Sequence, residues 1–138
     1  MIKDDCIFCK LANGVFPTNT VYEDDDFRII LDASPAAKGH SLIIPKQHSD
    51  NLYTTDDETL AKVLPLAKKL ANAMKKTFSC DGVNIIQNNE PAAGQTVFHL
   101  HIHAIPRYSA DNVGIGWPQH ETDAAEQAEI AENIASNM

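Results

Sequence analysis

Residues 98 to 106, Phe98-His99-Leu100-His101-Ile102-His103-Ala104-Ile105-Pro106, set three histidines in strict alternation with apolar residues. Period two is the mark of a half-buried β-strand, so His99, His101 and His103 share one face and Leu100, Ile102 and Ala104 the other. The chain must therefore cover one face of this strand with other apolar elements while keeping a row of imidazoles on the opposite side. Pro106, which has no N–H for a ladder, is predicted to end the pairing. Three imidazoles on one face can hold a metal as a set, or divide between nucleophile, proton donor and positioning roles; the alternation alone allows both.

The other elements follow from the remaining sequence. Cys6-Ile7-Phe8-Cys9 is a C-x-x-C leading into a short helix that Gly14 stops. An odd cysteine count with one such pair suits a metal knuckle or a redox pair better than a disulfide framework, and Cys80 reads as a spare buried thiol. Val21-Tyr22-Glu23 and Phe27 to Leu31 flank an acidic turn and predict a β-hairpin whose second strand delivers Asp32 on the side of Ile30. His40 to Pro45 reads as a third strand, with His48 at its exit.

Thr55 and Glu58 form a capping box at the start of one long helix, with Leu60, Val63, Leu64, Ala67, Leu70, Ala71, Met74 and Phe78 as its apolar stripe and Pro65 inside it. Val83 to Asn88 is predicted as a fourth strand, Glu90 to Thr96 as the loop before the histidines, and Thr122 to Ile134 as a short surface helix. The fold class expected is α+β: an antiparallel β-sheet of about five strands packed on one long helix, with a short N-terminal helix. One domain is expected over residues 1–138, with its core at about 6–106 and a C-terminal extension at 107–138.

A formal net charge of −8 leaves no basic footprint for a nucleic-acid backbone, so no nucleic acid is expected as a partner. The amino terminus lacks the apolar run of a signal peptide and no segment approaches a membrane span, so the expected setting is cytoplasmic, with no membrane partner.

The run His99-Leu100-His101-Ile102-His103-Ala104-Ile105 resembles the signature of the histidine triad (HIT) family. Asp32-Ala33-Ser34-Pro35, Gly39 to Lys46 and Asn88-Asn89-Glu90 through Gly94-Gln95-Thr96 extend the resemblance over most of the chain. It implies a nucleotide hydrolase acting at the α-phosphate of purine nucleotide conjugates, of phosphoramidate or acyl-adenylate type, through a covalent nucleotidyl-histidine, and a homodimer whose sheets join. Cleavage of dinucleoside polyphosphates is the alternative within the family, and a low-turnover nucleotide sensor or scaffold the alternative outside enzymology.

By the same resemblance His101 is the nucleophile, His103 contacts the phosphoryl oxygens or the departing group, and His40 supports them. A neutral imidazole near its reference pKa of roughly 6.5 suits nucleophilic attack at physiological pH. Asp32 would accept from the ribose hydroxyls, Ile7, Phe8, Ile30 and Leu42 would line the base slot, and Asn88, Gln95 and Thr96 would meet the phosphate or its departing group. The chain also resembles the bacterial zinc-containing type, which implies a structural zinc (Zn2+) on Cys6, Cys9, His48 and His99, a closed tetrahedral set. Trp117 and His120, in the C-terminal extension, read as ordinary surface packing.

Overall fold

Alternation along each strand gives one sheet two different apolar faces, and two helices of unequal length cover them. The computed structural model describes residues 1–138. In chain order the elements are α1 (Ile7–Ala12), β1 (Thr20–Glu23), β2 (Phe27–Leu31), β3 (Ser41–Pro45), α2 (Asp57–Phe78), β4 (Gly82–Ile86), β5 (Ile102–Arg107) and α3 (Ala124–Ser136). The five strands form one antiparallel sheet in the order β1-β2-β3-β5-β4, so the α+β architecture has the expected strand number.

Phe27, Ile29, Ile43, Leu100, Ile102 and Ala104 meet Val63, Leu66, Ala67, Leu70 and Met74 of α2 in the larger core. Each large aliphatic side chain buried there contributes roughly 1.5–3 kcal/mol relative to exposure. On the other face, Ile30, Leu42 and Ile44 pack with Ala12, Phe8 and Leu11 of α1. The stripe of α2 differs from expectation at one point: Leu64 is 69% exposed and Leu66 is buried instead. Leu64 lies one residue, about 100°, past Val63, whereas Leu66 and Ala67 fall at the i+3 and i+4 positions that return to the core.

The start of α2 is also shifted by one residue. Asp56 is the N-cap, its carboxylate accepting from the Thr59 N–H at 2.8 Å. Thr55 is buried, and its hydroxyl donates to the Asn51 carbonyl at 2.7 Å, so it closes the preceding turn and takes no part in a capping box. At the other end, Gly39 (φ +89°) approaches the ring of Phe78 so closely that a Cβ there would stand 2.4 Å from it.

The histidine strand is displaced relative to the reading from alternation. Its ladder begins at Ile102, opposite Ile43, and runs on through Pro106 to Arg107. Pro45 explains the late start: continued register would set it opposite Leu100, and it has no N–H to offer. The Leu100 N–H donates to Ser49 at 2.8 Å instead. Pro106 is tolerated because β3 begins at Ser41, opposite Ala104, leaving β5 a neighbour only on the β4 side at that point. The fourth strand is shorter than expected, ending at Ile86, so Asn88 lies in the loop. α3 forms where a surface helix was predicted and touches no other element. No helix is long and apolar enough to cross a membrane.

Candidate active site and metal centre

Between α1 and the β2–β3 face lies a cleft of about 700 Å³. Phe8, Leu11, Ile30 and Leu42 form its apolar wall, with Asp32, His101 and His103 at its polar end. Register places His103 beside Leu42 on one strand and Ile86 on the other, which sets its side chain on this face. Phe8 meets the His101 ring edge-on, with centroids 4.8 Å apart at 89°.

Backbone partners fix the protonation pattern of these rings, because a carbonyl only accepts and an amide N–H only donates. His101 Nδ1 lies 2.7 Å from the His99 carbonyl, so it carries the proton and leaves a lone pair on Nε2. His40 Nδ1 accepts the Ala36 N–H at 2.9 Å, so the His40 proton sits on Nε2. That Nε2 lies 2.9 Å from His103 Nδ1, to which it donates, and His103 in turn keeps its own proton on Nε2. Asp32 Oδ2 stands farther from His40 Nε2, at 3.5 Å, and its Oδ1 accepts the Ser34 N–H at 2.8 Å.

Burial, reinforced by the neighbouring His101 and His40, pushes the His103 pKa down to about 4. Burial also lowers His40 and His101, against the pull of the Asp32 carboxylate. The cleft is therefore furnished with neutral imidazoles at neutral pH, one holding a free lone pair and one a free N–H.

A second cluster joins the amino terminus to the sheet. Cys6 Sγ and Cys9 Sγ each lie 3.4 Å from His99 Nδ1, Cys9 Sγ lies 3.4 Å from His48 Nδ1, and the two Nδ1 atoms are 3.2 Å apart. The far nitrogens are committed: His99 Nε2–H donates to the Pro45 carbonyl at 2.8 Å and His48 Nε2–H to Asp50 at 2.9 Å. Both Nδ1 lone pairs thus face each other and two sulfurs, an arrangement that a cation relieves. Tetrahedral zinc sets its ligand atoms roughly 3.3 Å apart for two nitrogens, about 3.6 Å for nitrogen and sulfur and about 3.8 Å for two sulfurs, and the separations here are of that order. N–H groups of Lys3 and Cys9 point at the sulfurs of Cys9 and Cys6, at 3.3 and 3.4 Å, as befits thiolates. Burial raises the free Cys9 thiol, the cost a bound cation would offset.

The three histidines consequently do not converge on one point. His99 turns its lone pair to the cysteines, His101 to the cleft, and His103 receives the His40 proton, so a single metal centre made of all three does not fit the geometry.

Among the residues singled out from the sequence, Asp32, Phe8, Ile30, Leu42 and Thr96 border the cleft with His101 and His103. Ile7 does not. It is 45% exposed and faces a neighbouring cavity of about 460 Å³ beside Lys3, Asp5 and Asp50, because α1 turns one residue away from Phe8. Gln95 is buried, and its amide is already occupied: Nε2 donates to the carbonyls of Asp50 (2.7 Å) and Val97 (3.0 Å), and Oε1 accepts the Glu90 N–H at 2.8 Å. It braces the loop and has no group left for a phosphate. Asn88 lies on the far side of His103, with Ile86 and Ile105. Leu11 of the cleft wall, Asp50 behind His48 and the Ala36 amide were not singled out. Only Asp50, two residues after a candidate ligand, had a visible signal.

A sequence profile of the HIT domain matches residues 13–110. The chain belongs to the HIT family. Among its HIT relatives, the Bacillus subtilis protein named "Protein hit" is 40% identical over 136 residues, covering 98% of this chain and 92% of that one. "Adenosine 5'-monophosphoramidase HNT1" of Saccharomyces cerevisiae is 38% identical over 134 residues, covering 96% and 82%. The crystal structure of a Zn-bound histidine triad family protein from Mycobacterium smegmatis superposes with a TM-score of 0.77 at 35% identity, covering 96% and 97%.

Proposed function

We propose that this HIT protein hydrolyses purine nucleotide conjugates, with a nucleoside phosphoramidate as its principal substrate, through a nucleotidyl-His101 intermediate. The observation that carries the reading is the His101 Nδ1–H bond of 2.7 Å to the His99 carbonyl, which fixes the ring and leaves Nε2 as the nucleophile in the cleft. The base enters the slot of Phe8, Ile30 and Leu42, and the Asp32 carboxylate accepts from the ribose hydroxyls. His101 Nε2 attacks the α-phosphorus, forming a P–N bond as the bond to the departing nitrogen breaks and that nitrogen takes a proton from solvent to leave as the amine, a proton that the later attack by water returns. His103 Nε2–H supplies a hydrogen bond to charge growing on the phosphoryl oxygens or the departing nitrogen. Water then cleaves the P–N bond, releasing the nucleoside monophosphate and restoring neutral His101. The yeast relative's name as a monophosphoramidase supports this substrate class over a polyphosphate.

On the same reading Cys6, Cys9, His48 and His99 hold a structural zinc that ties α1 to the sheet and takes no part in the chemistry. A second copy would join along β4, whose outer side is unpaired.

The test is intact-mass spectrometry of wild type and His101→Ala after a brief, acid-free quench with adenosine phosphoramidate and, separately, diadenosine polyphosphate. Expected is an adenylyl adduct on wild type alone, forming faster from the phosphoramidate. Turnover without an adduct at adequate time resolution would overturn the covalent route, and no turnover of either would favour a binding protein.

A further inference from the structure

Asp32, His40 and His103 bring one carboxylate and two imidazoles within 4.8 Å of one another, a grouping that could by itself hold a divalent transition metal. Asp32 and His103 border the cleft and His40 is buried beside them, so on the proposed reading such an ion would stand where the substrate's ribose and phosphate go. The hydrogen bonds decide against the ion. A metal on His40 needs the Nε2 lone pair and therefore a proton on Nδ1, but the Ala36 N–H already points at Nδ1 from 2.9 Å. Two donors would then face each other in a buried setting, where an unsatisfied donor costs roughly 1–3 kcal/mol.

At the thiolate cluster the back partners are acceptors, the Pro45 carbonyl and the Asp50 carboxylate, and they turn the lone pairs inward. At His40 the back partner is a donor, and it turns the proton inward. The same residue types are thus sorted into a metal site and a proton chain by what stands behind each ring.

We infer that the Ala36 backbone amide is a tautomer lock. It holds the His40 proton on Nε2, which through the 2.9 Å bond holds the His103 proton on the cleft-side Nε2, and it denies the Asp32–His40–His103 cluster to metal ions. The lock acts through His40, a positioning residue that need not touch substrate. Its geometry is set by the turn in which the His40 N–H donates to the Ala37 carbonyl at 3.0 Å and Gly39 takes φ +89°. The catalytic value of the lock rests on the function proposed above; the tautomers and the metal exclusion do not.

Two measurements test it on the full chain loaded with zinc. Long-range proton–nitrogen correlation on histidine-labelled protein should find His40 and His103 protonated at Nε2; protonation of His40 at Nδ1 overturns the lock. Ala36→Pro removes the N–H without adding a donor. With Co2+ as the probe, the zinc-loaded wild type should take up none and zinc-loaded Ala36→Pro one ion per chain, with kcat for adenosine phosphoramidate lowered by on the order of tenfold or more and KM changed little. A folded Ala36→Pro that takes up no Co2+ and keeps its kcat also overturns the lock. If Ala36→Pro does not fold, the nitrogen spectra of wild type decide alone. The expected tautomers in a protein that forms no His101 adduct would leave the lock standing and remove the proposed reaction.

Discussion

Phe8 stands edge-on to His101, its ring centroid 4.8 Å from the imidazole at an interplanar angle of 89°. The helix that carries it has only six residues, too few to hold together alone. It is fixed by its ends: Cys6 caps it, and Asn13 Nδ2 donates to the carbonyls of Cys9 (2.9 Å) and Lys46 (3.0 Å). Removing the ring should therefore loosen the nucleophile as well as the base slot. For Phe8→Ala we expect KM for an adenosine phosphoramidate to rise and kcat to fall, with kcat/KM lowered by about two- to tenfold in all, as the loss of roughly 0.5–1.5 kcal/mol of ring contact implies. Steady-state kinetics decide; unchanged values for both would dissociate Phe8 from the site.

Metal removal should act on stability first. With the cation gone, Cys6, Cys9, His48 and His99 lose the ion that neutralises their facing lone pairs. We expect a strong chelator, or Cys9→Ser, to lower the melting temperature by on the order of 10 °C or more, with recovery on adding zinc to the chelated wild type. Below the new melting point His101 keeps its own hydrogen bond, so adduct formation should persist at a reduced rate. Scanning fluorimetry with and without chelator reads the first effect, and an unchanged melting temperature would refute a structural metal.

The pH dependence follows from His103. Its folded pKa is held down to about 4, by burial and then by the charges of His101 and His40, against 6.5 for a free imidazole. Between those values the unfolded chain binds the proton that the folded chain refuses, so stability from this group is complete above about 6.5 and is lost as pH falls toward 4. The lowered pKa of His40 acts in the same direction. Urea melts from pH 4 to 7.5 should show this slope, and the acid limb of kcat/KM should lie below the pH at which an exposed histidine titrates. A limb centred at or above 6.5 would show that the cleft does not hold these rings neutral.

Gly39 offers a test of the turn behind His40. An alanine would have to adopt φ +89° and would place its Cβ 2.4 Å from the Phe78 ring. We expect Gly39→Ala to cost roughly 1–3 kcal/mol in a denaturant melt and to lower kcat with it, since the turn that presents His40 must shift. A neutral result would mean that Phe78 moves aside freely.

What could be read from the sequence divides along physical lines. Parity carried far: it set Leu100, Ile102 and Ala104 in the core, and Ile30 and Asp32 on the cleft side, because side-chain direction in extended chain depends on counting alone. Spacing and resemblance together brought Cys6, Cys9, His48 and His99 into one list of candidates, and the fold brings them into one cluster. Backbone bonding was not legible. Whether Thr55 or Asp56 caps α2, where the β5 ladder starts and what Gln95 donates to all depend on which carbonyl stands opposite, and local pattern does not encode that. The Ala36 amide is the extreme case, since its importance has nothing to do with its side chain.

The late start of β5 makes this chain unequally tolerant of length changes. From Phe98 to His101 the backbone lies outside the ladder and bends at Phe98 and His99, whereas from Ile102 it is locked to Ile43, Leu42 and Ser41 in turn. A residue inserted in the loop before Phe98 leaves His99, His101 and His103 in phase. The same residue inserted after His101 leaves His103 in place and turns His99 and His101 toward α2, exchanging a ligand and the nucleophile for core positions in one step. The boundary between permissive and lethal insertion therefore falls inside the triad itself, and Pro45, on a different strand, is what puts it there.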